Sequence, residues 1–161
     1  MIVFFSLNLK QISQDTKNYK WPRPKCCDRC HHSKVWSHGF VSMIFEGFAN
    51  ALRMRRYRCP CCGCIIRLRP LDYFKGHQST SDVIRKTLTA RLHNGHWPQD
   101  CEPSRSRHWL RALKHNAAAI LGEGALVDLI AAYDQLVKLG RVPVTRAIKS
   151  LPVAGFQFST E

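Results

Sequence analysis

Cys27-Asp28-Arg29-Cys30 and Cys59-Pro60-Cys61-Cys62 are the residues in this sequence whose type and spacing most plainly point to chemistry: two C-x-x-C pairs with 28 residues between them. One tight turn presents each pair of thiolates to a single ion, and two such turns close a tetrahedral site with Zn–S distances of about 2.3 Å. Gly63 follows the last of the four, where a knuckle needs a positive φ and amides free to point at sulfur. The spacing therefore predicts Zn2+ held by Cys27, Cys30, Cys59 and Cys62. Cys26, Cys61 and Cys64 stand close enough to replace a ligand by a shift of register, and His31, His32 and His38 to replace a sulfur. Iron in a rubredoxin-like site uses the same spacing, so the ligands alone do not choose the metal. A thioredoxin-like redox pair would sit at the start of a helix, whereas residues 31–40 read as a strand.

The stretch between the pairs is nearly free of acid. Residues 31–71 contain one carboxylate, Glu46, against Arg53, Arg55, Arg56 and Arg58 before the second knuckle and Arg67 and Arg69 after it. Across 161 residues, 25 Lys and Arg outnumber 11 Asp and Glu, a formal charge of +14 that favours an anionic partner. Those arginines suit phosphate contact, with Trp36 or Tyr57 able to stack on a base. A second basic face lies where Arg105, Arg107, Arg111 and Lys114 point away from Trp109 and Leu113, as on a recognition helix. The plain alternative for both surfaces is a solvated face.

Other classes have less support. No run approaches the ~18 to 20 apolar residues of a membrane span, and no basic amphipathic helix offers a lipid face, so no membrane partner is expected. Met1–Leu9 lacks a basic start and a cleavage site, which argues for a reducing, cytoplasmic setting and for metal rather than disulfides. Two-metal nuclease chemistry needs carboxylates gathered in one core, and Asp72, Asp82, Asp100, Glu102, Asp128 and Asp134 are too scattered; His93, His96, His108 and His115 have no local nucleophile. The expectation is a binding protein rather than an enzyme, unless the chain is a fragment of one.

The elements that must position these residues follow from periodicity. Residues 1–20 read as a flexible tail. Residues 21–75 read as a zinc ribbon, with strands near 35–38, 40–45, 52–58 and 65–69, a break at Gly39, and an antiparallel sheet clamped by metal. Residues 79–140 then switch to a helical period: one helix from a Ser81 cap with Ile84, Leu88 and Leu92 stacked, a second from Ser104 through Leu121, and a third over 126–139. Residues 141–161 read as an irregular tail. The fold class is α+β, a small antiparallel zinc ribbon followed by a three-helix, helix-turn-helix-like bundle.

The run Leu52-Arg53-Met54-Arg55-Arg56-Tyr57-Arg58-Cys59-Pro60-Cys61-Cys62-Gly63, preceded by Cys27-Asp28-Arg29-Cys30 and Val35-Trp36-Ser37-His38-Gly39, resembles the N-terminal zinc ribbon of bacterial insertion-sequence transposases. The likeness covers residues 26–70 well and 79–121 only in kind. It implies zinc on Cys27, Cys30, Cys59 and Cys62 and helix-turn-helix segments after the ribbon. Asp28 and His31 depart from the family's usual Pro and Gly, which leaves the role of Cys26 open. Some 40 residues follow Gly122, fewer than the family's nuclease domain of on the order of 100 residues or more needs. The resemblance thus implies DNA binding without strand transfer, by a stand-alone, accessory or truncated protein, acting as a homo-oligomer or beside a transposase. An RNA- or ribosome-associated zinc ribbon and a zinc-stabilised protein-interaction module are the competing expectations.

Overall fold

Along Leu52-Arg53-Met54-Arg55 apolar and basic side chains alternate, which sends them to opposite sides of one strand. The computed structural model describes residues 1–146 and places that strand inside a four-stranded sheet. The elements run β1 (Ile2–Phe5), α1 (Leu9–Gln14), β2 (Trp36–Met43), β3 (Leu52–Arg58), β4 (Ile65–Pro70), α2 (Ser81–Asn94), α3 (Pro103–Leu121), a 3-10 turn (Glu123–Leu126) and α4 (Leu129–Lys138). The chain is thus mixed α/β, and it divides into two units after Ser79.

In the first unit the strand order is β1-β4-β3-β2. Leu52 and Met54 on β3 pack with Leu9, Ile12, Phe45 and Tyr73. Tyr57, an odd number of residues further on, joins the other side of the sheet and packs with Ile66, Leu68, Val35, Cys27 and Cys59. β2 is one strand and does not break at Gly39. His38 and Gly39 together oppose Arg56, because the register runs from Ser37–Tyr57 directly to Phe40–Arg55. This is a β-bulge, and Gly39 supplies the φ of +69° that it needs.

Residues 1–20 are not a flexible tail, for Ile2–Phe5 pairs with Arg67–Pro70, and α1 buries Leu9 and Ile12. Asn8 caps α1 by accepting from the Gln11 amide at 3.1 Å. The sheet is also not wholly antiparallel, since β1 runs parallel to β4.

The second unit is helical. Thr80 caps α2 one residue before the expected Ser81, Glu102 with Pro103 behind it opens α3 two residues before the expected Ser104, and Asp128 caps α4, which starts three residues after the expected position 126. Ile84, Leu88, Trp109, Leu113, Tyr133 and Leu136 form its buried face, while Leu92 and Leu126 remain exposed. Arg85 grips Asp134 with two hydrogen bonds of 2.8 and 2.7 Å, and Tyr133 donates to the Ser81 carbonyl at 2.9 Å. Val142 and Val144 are buried too, tied to α3 by Asn116, whose Nδ2 donates to the carbonyls of Pro143 and Thr145 at 2.8 and 3.0 Å. The start of the expected C-terminal tail is therefore packed, and residues 147–161 lie outside the described residues. No described helix is long and apolar enough to cross a membrane.

Candidate metal centre and its basic surroundings

Each cysteine pair folds as the same small device. The His31 amide donates to the Cys27 carbonyl at 2.7 Å and the Cys27 amide to the His32 carbonyl at 3.0 Å. In the second pair Gly63 donates to Cys59 at 3.1 Å and Cys59 to Cys64 at 2.9 Å. The matching residues, His31 and Gly63, both adopt positive φ, at 57° and 68°. Glycine reaches that region freely; histidine does so at a cost, although it is among the residues that tolerate it best.

The two knuckles bring Cys27, Cys30, Cys59 and Cys62 together, their sulfurs all within 4.8 Å of one another. Cys27 to Cys62 is 3.6 Å and Cys30 to Cys59 is 3.5 Å. A tetrahedron of sulfurs around Zn2+ at about 2.3 Å has edges of about 3.8 Å, so the donor set fits a four-thiolate metal site. Cys26, Cys61, Cys64, His31, His32 and His38 lie outside this set. Cys64 assists through its backbone, accepting from Cys59 and donating its amide toward the Cys62 sulfur.

Amides aimed at the sulfurs tune them unequally. The Cys62 amide brings the Cys59 thiol down to about 7. Cys30 receives the His32 amide, yet burial beside the sulfurs of Cys59, Cys62 and Cys27 pushes it up to about 12. Four thiolates in this space oppose one another, and a divalent cation is the group that removes the opposition.

β3 leads directly into this centre, and the sheet register sorts its arginines. Arg56 lies directly opposite Arg67 across β3–β4, and Trp36 opposite Arg58 across β2–β3. Arg58 and Arg67 are exposed and Trp36 is 63% exposed. The Arg56 Nε is sealed from solvent with no hydrogen-bond partner among the described residues. Arg53 and Arg55 sit over the Phe40 ring, at 5.1 and 4.8 Å from its centroid. Arg69 does not join them. Only 6% exposed, it donates to the His77 carbonyl and lies 5.9 Å from the Phe45 centroid, and burial lowers its pKa. A buried guanidinium so engaged braces the fold and is not available to phosphate.

In the helical unit, Arg107 and Arg111 are exposed and share an open cleft of about 520 Å³ with Arg91, Trp97, Ser104 and Leu110. Arg105 is drawn aside, its guanidinium 5.2 Å from the Trp109 ring centroid. Arg91 and Trp97 escape a reading of α3 alone because they belong to α2 and the loop after it. The Arg91 guanidinium lies 5.4 Å from the Trp97 ring centroid. A loop tryptophan just past a helix with arginine in its last turn is the signal in the sequence that marks them. No protein family, curated protein or solved structure matches the chain.

Proposed function

We propose that this chain is a zinc-dependent DNA-binding protein, its first unit a zinc ribbon like those of insertion-sequence transposases and its second a helix-turn-helix-like bundle that adds contacts. The observation that carries this reading is the directly opposed pair Arg56 and Arg67, with Arg56 two residues before Arg58 and three before the Cys59 knuckle. Like charges facing each other across a ladder destabilise it, and no carboxylate follows Glu46 before Asp72 to offset them. A phosphate between the two guanidiniums turns that repulsion into attraction.

Cys27, Cys30, Cys59 and Cys62 would hold the zinc with no open position, so the ion supplies structure rather than hydrolysis. Cys59 directly follows Arg58, and fixing the knuckle fixes the end of the strand that carries the arginines. The exposed arginines capture the duplex, and contacts to successive phosphates set its register. Arg107 and Arg111, with Arg91 beside them in the cleft, form the second contact surface, with base readout by α3. The connection from α2 to α3, residues 95–102, is longer than the three- to four-residue turn of the simplest helix-turn-helix units.

The test is fluorescence anisotropy with a labelled duplex over a range of salt, comparing the native protein with Arg56→Ala/Arg58→Ala. The double variant should bind more weakly, and its slope of log K against log salt should flatten by about 0.9 for each phosphate that the missing arginines no longer neutralise. An unchanged slope would mean that these arginines form a solvated face.

A further inference from the structure

The sheet unit carries a second basic feature that the register of β3 does not explain. A groove of about 440 Å³ runs beside the first knuckle, with Pro24 and Val35 as its buried floor and Arg23, Lys25, Lys34 and Trp36 along its walls. Its volume lies in the ~300 to 1,000 Å³ range of ligand sites. Ser33 completes the lining, so among the described residues no acid in the groove answers the three cations.

The groove is built rather than incidental. The Tyr57 hydroxyl donates to the Pro22 carbonyl at 2.9 Å and anchors the Trp21–Pro24 segment. Arg23 is steered by that ring, 5.9 Å from its centroid, and reaches the Ser37 hydroxyl at 3.5 Å. Pro24 restricts the Arg23 backbone to extended conformations, and Pro22 fixes φ in the residue before it. Trp36 stands on the edge strand β2 with 63% of its surface in water, an unfavourable place for a large aromatic ring unless something covers it.

We propose that this groove takes an unpaired nucleotide of a single strand, its base stacked on Trp36 and its flanking phosphates held by Arg23, Lys25 and Lys34. The inference rests on the nucleic-acid reading above and narrows it. A base in a duplex has both faces covered by its neighbours, so only an unstacked or strand-end base can offer a face to Trp36. The opposed Arg56 and Arg67 need phosphate alone and make no such distinction. The protein therefore has a duplex-tolerant surface on β3–β4 and a single-strand-selective groove beside it.

The experiment compares wild-type, Trp36→Ala and Trp36→Phe proteins by anisotropy with three probes: a duplex, an oligodeoxyuridylate and an oligouridylate. Strands of about 15 nucleotides suit the site sizes of such grooves. Zinc content and circular dichroism establish that the variants are folded. Trp36→Ala should weaken single-strand binding about tenfold and duplex binding by less than about twofold, with Trp36→Phe recovering most of the loss. The tighter of the two single strands identifies deoxyribose or ribose as the source. Equal loss on duplex and single strand overturns the inference, as does wild-type protein that binds duplex but neither single strand. Wild-type protein that binds a single strand and no duplex leaves the groove standing and removes the duplex reading instead.

Discussion

In the sheet unit one of the two apolar clusters includes Cys27 and Cys59, both fully buried, whereas the helical unit closes its core with Leu113, Leu136, Val144 and other apolar side chains. The sheet unit divides its apolar residues between two sides of a single sheet, so neither cluster is large. A unit of that size rarely draws more than about 3 to 5 kcal/mol from its core and needs a staple. The helical unit gains a conventional core, reinforced by Asn116 holding the segment after α4 and by Arg85 with Asp134. Metal dependence should therefore be confined to the sheet unit.

Removing the metal should separate the two units most strongly. Chelation, or Cys59→Ser, should unfold the sheet unit, because structural zinc contributes on the order of 10 kcal/mol or more, beyond what a small domain has to spare. Hydrogen exchange should show that β2, β3 and β4 lose their protection while α3 keeps it. Uniform loss, or none, would contradict the division. In the opposite direction, Leu113→Ala empties a fully buried site and should cost the helical unit about 2 to 5 kcal/mol in thermal unfolding, with zinc stoichiometry unchanged.

Within the sheet unit the two knuckles differ in the residue at their positive-φ position. Gly63→Ala places a side chain at φ 68° and should weaken metal retention by about 1 kcal/mol against a competing chelator. His31→Gly relieves the same strain at φ 57° and should leave retention equal or better. Matching losses would show that His31 has a role beyond its backbone.

The smallest expected effect belongs to Asp134, whose carboxyl the Arg85 guanidinium holds below its ordinary value, chiefly by hydrogen bonding. A depressed folded pKa means stability that is full above the unfolded value near pH 4 and lost as pH falls through the lower, folded value. Both side chains are about two-fifths exposed, so solvent screening keeps the contribution under about 1 kcal/mol. Asp134→Asn should lower helical stability at neutral pH, and the gap from wild type should close in acid.

The sequence made the cysteine device legible because a knuckle is local: the four ligands and Gly63 lie within two five-residue stretches, although the positive φ of His31 carries no such signal. The long helices were legible from their apolar period. β1 was not, because Ile2–Phe5 has only four residues, and its partner β4 lies some sixty residues further along the chain with no turn to announce the pairing. α1 is six residues, too short for a period to register. Arg69 misled for a different reason, since alternation along Ile65–Pro70 sets it with Arg67, and only the fold shows Phe45 and the His77 carbonyl enclosing it. The Trp36 groove was hidden because its cations come from both sides of the first knuckle.

The most direct measurement is a salt-dependent anisotropy titration of labelled duplex DNA with native protein, metal-stripped protein and stripped protein reloaded with zinc. Salt-sensitive binding should fall away on stripping and return with zinc. Undiminished, equally salt-sensitive binding by protein shown to be free of metal would contradict zinc-dependent DNA binding and leave the helical unit as the DNA contact.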